Sequence, residues 1–270
     1  MADFEDQDWK PGALNLRREV HVRTTSKTYV VTQDANSSEP GAMLWEVSII
    51  VAKLLDAGAL GDDADLAGRA VLELGAGCAV AGMAYALRGA RVTFTDLPAL
   101  CGHVRDNVAR NLGPDGYRVV PYDWCDGRPA TLVGEAFDVV LGTDCVYHAH
   151  LVEPFLDALD AVAGPRTTVV LAFERRDEAV LAAFERGLRD MFKCRPLLST
   201  KKLRAILGDD VLLRPADDGG EPDARWLSIL VCKKRKSYRG DRSRRARADG
   251  GAKAAFDATR AAFLAERGLD

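Results

Sequence analysis

The residues whose types and spacing can do chemistry begin with Val71-Leu-Glu73-Leu-Gly75-Ala76-Gly77, an apolar run that carries an acid and ends in two glycines. A second apolar run, Val92-Thr-Phe-Thr-Asp96, ends in a carboxylate. Glycines let the backbone pass close to a ligand, and an acid at a spacing near ~20 residues suits a ribose diol. A plain strand-to-helix turn also favours glycine, so it is the coupling to Asp96 that describes a pocket for an adenosine-bearing cofactor. Glu73 is expected to reach a charged ammonium group of that ligand, directly or through water. A pyrophosphate would want a third glycine where the helix begins, so that it can rest on the helix N-terminus. Here Gly75-Ala-Gly-Cys-Ala79-Val-Ala-Gly82 places Ala79 at one glycine slot. This favours S-adenosylmethionine over NAD and leaves an NAD-dependent oxidoreductase as a second reading.

Elements must bring these residues together, and the pattern supplies them. Glu19 to Arg23 and Thr28 to Thr32 are β-rich and read as a hairpin covering one edge or end of the main sheet. Met43, Leu44, Val47, Ile50, Val51, Leu54 and Leu55 recur with helical period before Gly58, with Trp45 at the start. Strands over 70–74, 91–95, 118–121, 137–142 and 167–173 then alternate with helices ending near Leu87, Asn111, Ala163 and Met191. Trp226 to Val231 reads as one more strand, beside an earlier one near Phe192 to Leu198. Repeated βα units with apolar strands predict a Rossmann-like α/β fold, with a mostly parallel seven-stranded sheet and helices on both faces.

At 270 residues, 47% hydrophobic and 29% charged, the chain is long enough for one large domain with a sizeable core. The expected organisation is an N-terminal segment, residues 1–18, a domain over 19–235 and a basic, disordered tail over 236–270 with a short terminal helix. No apolar run approaches ~18 residues and the acidic start lacks a basic n-region, so a cytoplasmic protein without a membrane span is expected, and a monomer. The net charge of −3 hides a basic run from Lys233 to Arg247, read as a solvated tail, with nuclear import or nucleic-acid contact left open. The six cysteines contain no C-x-x-C pair, so free thiols are expected, with neither a metal site nor a disulfide.

Four segments carry a further signal: Gly41-Ala-Met-Leu-Trp45, Leu72-Glu-Leu-Gly-Ala-Gly77, Thr95-Asp-Leu-Pro98, and Asp123-Trp124 with Asp144-Cys-Val-Tyr147. In this order the chain, over about Glu19 to Lys234, resembles the seven-β-strand (class I) protein-lysine methyltransferases, in particular the methyltransferase-like 21 group. The resemblance implies that Trp45, Gly75, Ala76, Gly77, Asp96, Trp124 and Thr143 contact S-adenosylmethionine. An indole face suits adenine or the methionine arm, and a sulfonium near it gains roughly 0.5 to 2 kcal/mol. The family commonly has glycine where Ala79 stands; an added methyl is tolerable there unless the backbone needs a positive φ.

The implied reaction sets its own demands. A lysine amine with a pKa of about 10.4 is neutral in only about one molecule per thousand near pH 7.4, and burial beside a cation raises that fraction. Asp144, just past the strand 137–142, is expected to accept a hydrogen bond from the amine, and Tyr147 to form one wall. The expected partner is a protein presenting a lysine. An arginine, histidine or small-molecule acceptor, and a non-catalytic scaffold binding nucleic acid through the basic tail, stay open. His148 and His150 read as loop residues. Glu174 either shapes the entrance or pairs with Arg175 or Arg176. Cys78, Cys125 and Cys145 beside the site would make it sensitive to oxidation.

Overall fold

The computed structural model describes residues 19–34, 37, 39–60, 65–208, 224–240 and 258. Nearly all of the basic tail therefore lies outside the described residues. The central sheet has seven strands: β3 (Ala70–Leu74), β4 (Arg91–Asp96), β5 (Tyr117–Pro121), β6 (Val139–Thr143), β7 (Thr168–Glu174), β8 (Phe192–Pro196) and β9 (Leu227–Lys234). Their spatial order is β5-β4-β3-β6-β7-β9-β8. β3 pairs in parallel with β4 and β6, β4 with β5, and β6 with β7, whereas β9 runs antiparallel between β7 and β8. The chain reverses its direction of travel across the sheet between β3 and β6. In an open α/β sheet that switch point leaves a crevice outside the carboxyl ends of the strands.

Helices cover both faces, as the buried strands require. One face packs on α1 (Glu46–Asp56), α2 (Val80–Leu87) and α3 (Cys101–Leu112), the other on α4 (Ala149–Val162) and α5 (Glu178–Met191). A further helix, α6 (Thr200–Leu207), was not anticipated. Its signals are short: Ser199 accepts from Lys202 N as an N-cap, and Leu203 and Leu207, four residues apart, are its buried positions.

The hairpin forms from β1 (Glu19–Arg23) and β2 (Thr28–Thr32), but it makes its own two-stranded sheet and covers α3 rather than an edge of the main sheet. Asn107 and Asn111, one helical turn apart on α3, act as a substitute strand. Their Oδ1 atoms accept from Thr32 N and Val30 N, both at 2.8 Å, and their Nδ2 groups donate to Thr32 O at 3.0 Å and Val30 O at 2.9 Å. Four backbone groups at the edge of β2 are thereby satisfied without a strand.

Two further expectations are corrected. Cys194 and Cys232 form a disulfide, because antiparallel pairing of β8 with β9 puts them directly opposite, with Cα atoms 4.0 Å apart. The remaining described cysteines, Cys78, Cys101, Cys125 and Cys145, are free thiols. Glu73 does not face a ligand. Its side chain enters the core beneath α2, where Oε1 accepts from Gly82 N at 3.3 Å and a Cβ at Gly82 would overlap Oε2. Burial, with Asp96 adding to it, pushes the carboxyl up to about 8.

The turn before α2 shows the cost of Ala79. Its φ is +63°, the left-handed conformation that costs an L-residue roughly 1–2 kcal/mol. Ala79→Gly is expected to raise stability by about 0.5 to 1 kcal/mol, the extra freedom of glycine in the unfolded chain offsetting part of the gain. A lower urea midpoint in the variant would contradict this. Glu73 gives a pH dependence. The folded chain keeps a proton that the unfolded chain releases near pH 4.5, so this contribution to stability is complete below that pH and is lost as pH rises through about 8. Between about pH 6.5 and pH 9, the melting temperature should fall in the wild type and stay nearly flat in Glu73→Gln. Equal falls in both would show that Glu73 is already ionised at neutral pH.

Candidate functional site

At the switch point, the carboxyl ends of β3, β4, β5 and β6 surround one cavity. All nine residues singled out from the sequence line it: Trp45, Gly75, Ala76, Gly77, Asp96, Trp124, Thr143, Asp144 and Tyr147. Glu39, Leu97, Leu100, Tyr122 and Asp123 also line it, and no sequence pattern had marked Glu39, Leu100 or Tyr122 for a site.

The glycine turn is close-packed. Gly75 has φ +64°, and a Cβ there would stand 3.2 Å from Trp124 Cζ2 and 3.1 Å from Cys145 Sγ. Gly77 has φ +54°, and its Cβ would stand 2.9 Å from the carbonyl oxygen of Gly41. Both positions therefore disfavour a side chain on conformation; at Gly77 the Gly41 carbonyl also leaves it no room, whereas at Gly75 the ring and thiol would have to give by a few tenths of an ångström. Asp96 locks the turn from β4: Oδ2 accepts from Gly77 N and Oδ1 from Leu97 N, each at 2.7 Å. Burial pushes the Asp96 carboxyl up to about 6, against the pull of those two N–H donors, so it remains largely ionised at neutral pH.

Aromatic rings form the walls. Trp45 immediately precedes α1 and its Nε1 donates to Pro40 O at 3.0 Å; the residue lines the cavity and stays 39% exposed. Trp124 begins a 3₁₀ turn capped by Asp123, whose side chain accepts from Cys125 N, and its ring packs against Phe155 with centroids 4.9 Å apart. Trp124 Nε1 and the Tyr122 hydroxyl are buried and have no hydrogen-bond partner among the described residues.

Asp144 immediately follows β6 with φ +56°, and its buried carboxylate is held by Arg176 Nη2 at 2.8 Å. Glu174 also lies 2.7 Å from Arg176 Nη2, which settles its pairing, while Arg175 turns away to Glu178 and Glu185. Burial pushes the Tyr147 hydroxyl up, with Cys145, Asp96 and Asp144 adding to it, so it is neutral at physiological pH. His148 and His150 stack on each other with centroids 5.5 Å apart, and neither lines the cavity. The thiols of Cys78 and Cys145 are buried and pushed up, first by desolvation and then by Asp96, which opposes the thiolate that oxidation requires.

Charge tests which cofactor these residues fit. Four carboxylates line the cavity, Glu39, Asp96, Asp123 and Asp144, and no Lys, Arg or His is among its described lining residues. A pyrophosphate would meet no cation there, and the first residues of α2, Val80 and Ala81, are fully buried. A sulfonium ligand with an adenosine finds opposite charge, aromatic faces and unpaired polar groups. The residues present therefore fit S-adenosylmethionine and do not fit a dinucleotide.

Comparison with known proteins agrees with this geometry. A family model described as lysine methyltransferase matches residues 24–186. The chain is 33% identical over 148 residues to EEF1A lysine methyltransferase 3 of Mus musculus, covering 54% of this chain and 61% of that protein. It is 29% identical over 165 residues to the protein N-lysine methyltransferase METTL21A of the same species, covering 59% of this chain and 73% of that protein. The Xenopus tropicalis EEF1A lysine methyltransferase 3 is 32% identical over 115 residues, covering 42% of this chain and 50% of that protein. The chain thus spans between half and three quarters of the length of these relatives. With a matched model that runs from the hairpin through β7 into α5 and encloses the whole cavity, the chain belongs to the lysine methyltransferase family.

Proposed function

We propose that this chain is an S-adenosylmethionine-dependent protein methyltransferase whose acceptor is a lysine side chain of a protein. The observation that carries the reading is the cavity at the β3–β6 switch point, acidic, partly aromatic and without a cation among its described lining residues, in a member of the lysine methyltransferase family. The names of the mouse relatives give protein lysine as their acceptor, in one case a lysine of EEF1A. That acceptor class is what we carry over to this chain.

When bound, S-adenosylmethionine would supply a methyl carbon that a neutral amine attacks in line, the thioether leaving with the electron pair of the broken carbon–sulfur bond and the resulting ammonium releasing its proton to solvent. The chain's own residues would do the rest. Asp96 keeps acceptor capacity beyond its two N–H bonds and would hold the ribose hydroxyls. The Gly75-Ala76-Gly77 backbone would line the methionine arm, Trp124 and Tyr122 would offer their unpaired N–H and O–H groups, and Thr143 would sit between the cofactor and acceptor sides. Asp144 would accept from the amine, and Trp45 with Tyr147 would exclude water, which lowers the amine's pKa. Holding nucleophile and methyl aligned in a dry channel supplies most of the catalysis that such a displacement needs.

Incubating the protein with isotopically labelled S-adenosylmethionine and a lysate of its own organism, then locating the label by mass spectrometry, is expected to give methyl-lysine in a protein. Label on arginine, or in small molecules alone, would overturn the acceptor assignment. Asp144→Ala should reduce transfer by about 100-fold or more while S-adenosylhomocysteine affinity stays within a few fold, as loss of acceptor alignment predicts. Undiminished turnover would remove Asp144 from the site.

A further inference from the structure

The cation closest to the acceptor side of the cavity is tied to Asp144 in a specific way. Arg176 Nη1 donates to Asp144 Oδ1 at 3.1 Å and Nη2 to Oδ2 at 2.8 Å, while the backbone N–H of Glu174 donates to Oδ1 at 3.2 Å. A carboxylate has about four acceptor positions. Oδ1 is saturated by two donors, and Oδ2 retains one position. The Asp144 side chain lines the cavity and is 4% exposed, so a group entering the cavity would be the partner for that remaining position. The guanidinium is held in turn by Glu174 Oε2 at 2.7 Å and lies 5.1 Å from the ring centroid of Trp45. Holding Asp144 at φ +56° costs on the order of 1–3 kcal/mol, which the fork from Arg176 helps to sustain.

An unpaired carboxylate would be a poor partner for a methyl acceptor. It stabilises the ammonium form of a nearby amine, the form without a lone pair. The other groups around Asp144 would add to that effect or leave it unchanged. Asp96 comes from β4, Glu39 and Asp123 from the cavity wall and Glu174 from β7; Cys145, Tyr147 and its neighbour His148 follow β6. Arg176 is the cation in direct contact with Asp144 among the described residues.

We propose that Arg176 is a positioning residue for the methyl acceptor: it leaves Asp144 a single open acceptor on Oδ2 and, although shared with Glu174, offsets charge that would otherwise hold an incoming lysine as its ammonium. The inference rests on the lysine reading above. It separates two properties of Asp144, directing a hydrogen bond and contributing negative charge, and assigns to Arg176 the weakening of the second.

The test uses Arg176→Gln, which keeps a donor but removes the charge, and Arg176→Lys, which keeps the charge. Label transfer from S-adenosylmethionine to the lysate protein that wild type labels most strongly is followed from about pH 6.5 to about pH 10, across the approach to the lysine pKa. Binding of S-adenosylhomocysteine, by calorimetry, is measured alongside as the check on fold. The rising limb of the rate is expected to move up by about one pH unit or more in Arg176→Gln, with activity recovering towards wild type at the alkaline end. In Arg176→Lys the limb stays at the wild-type position with lower amplitude. A merely structural role would scale the rate at every pH alike. A wild-type midpoint in Arg176→Gln, or an equal shift in Arg176→Lys, overturns the proposal while leaving the lysine reading intact. Absence of labelled lysine with wild-type enzyme that binds S-adenosylhomocysteine overturns that reading, and this proposal with it.

Discussion

The 2.7 Å hydrogen bond from Gly77 N–H to the buried Asp96 carboxylate is the interaction on which the rest of the site depends. It ties the end of β4 to the turn between β3 and α2, and that turn is also where the segment before α1 comes down. The carbonyl of Gly41 lies so close to Gly77 that only glycine fits beneath it. Trp45, whose indole is fixed to Pro40 in the same segment, is thereby placed in the cavity wall with Trp124 and Asp144. The hairpin contributes from behind. Asn107 and Asn111 hold β2 on α3, and Gln33, just after β2, accepts from Leu44 N at 3.1 Å, which orients the approach to Trp45.

Charge is distributed around this turn with a consistent logic. Glu73, behind the turn, keeps its own proton at neutral pH because burial disfavours its charge and a single N–H does not offset that. Asp96, with two N–H donors, stays largely ionised and faces the cavity. Asp144 is paired with Arg176, which it shares with Glu174, yet keeps an acceptor position. Burial raises the cost of charge at both Glu73 and Asp96, and the donors that reach each acid decide how far that cost is offset. A cavity with an ionised acid on one side and a paired acid on the other presents a charge gradient to a cationic ligand and a neutral nucleophile.

Much of this was legible in the sequence because it depends on local pattern. Alternating apolar strands and helical periods located every parallel strand and the helices between them. A parallel sheet places all its strand ends on one edge, which is why nine residues scattered from Trp45 to Tyr147 converge on one cavity. What the sequence did not yield depends on register. The Cys194–Cys232 pairing requires knowing that β8 and β9 run antiparallel with those two residues opposed, and α6 is too short for its period to stand out. Glu73 was misplaced because strand alternation assigns it to a face without saying what covers that face; the space left by Gly82 decides that it goes under α2. Arg176 could be named only as one of two partners for Glu174, because Glu174-Arg175-Arg176 offers two equivalent cations and which one meets Asp144 is fixed by the path of the chain as it leaves β7.

The central claim is that Asp96 and the glycine turn form a cradle for an adenosine-bearing sulfonium compound and not for a dinucleotide. Titrating S-adenosylhomocysteine and NADH separately into the wild-type protein and into Asp96→Ala by calorimetry tests it directly. The account predicts that S-adenosylhomocysteine binds the wild type, that NADH does not, and that Asp96→Ala weakens S-adenosylhomocysteine by about 10- to 100-fold, the loss expected for hydrogen bonds to a charged group. Binding of NADH by the wild type, or an unchanged S-adenosylhomocysteine affinity in Asp96→Ala, would contradict it.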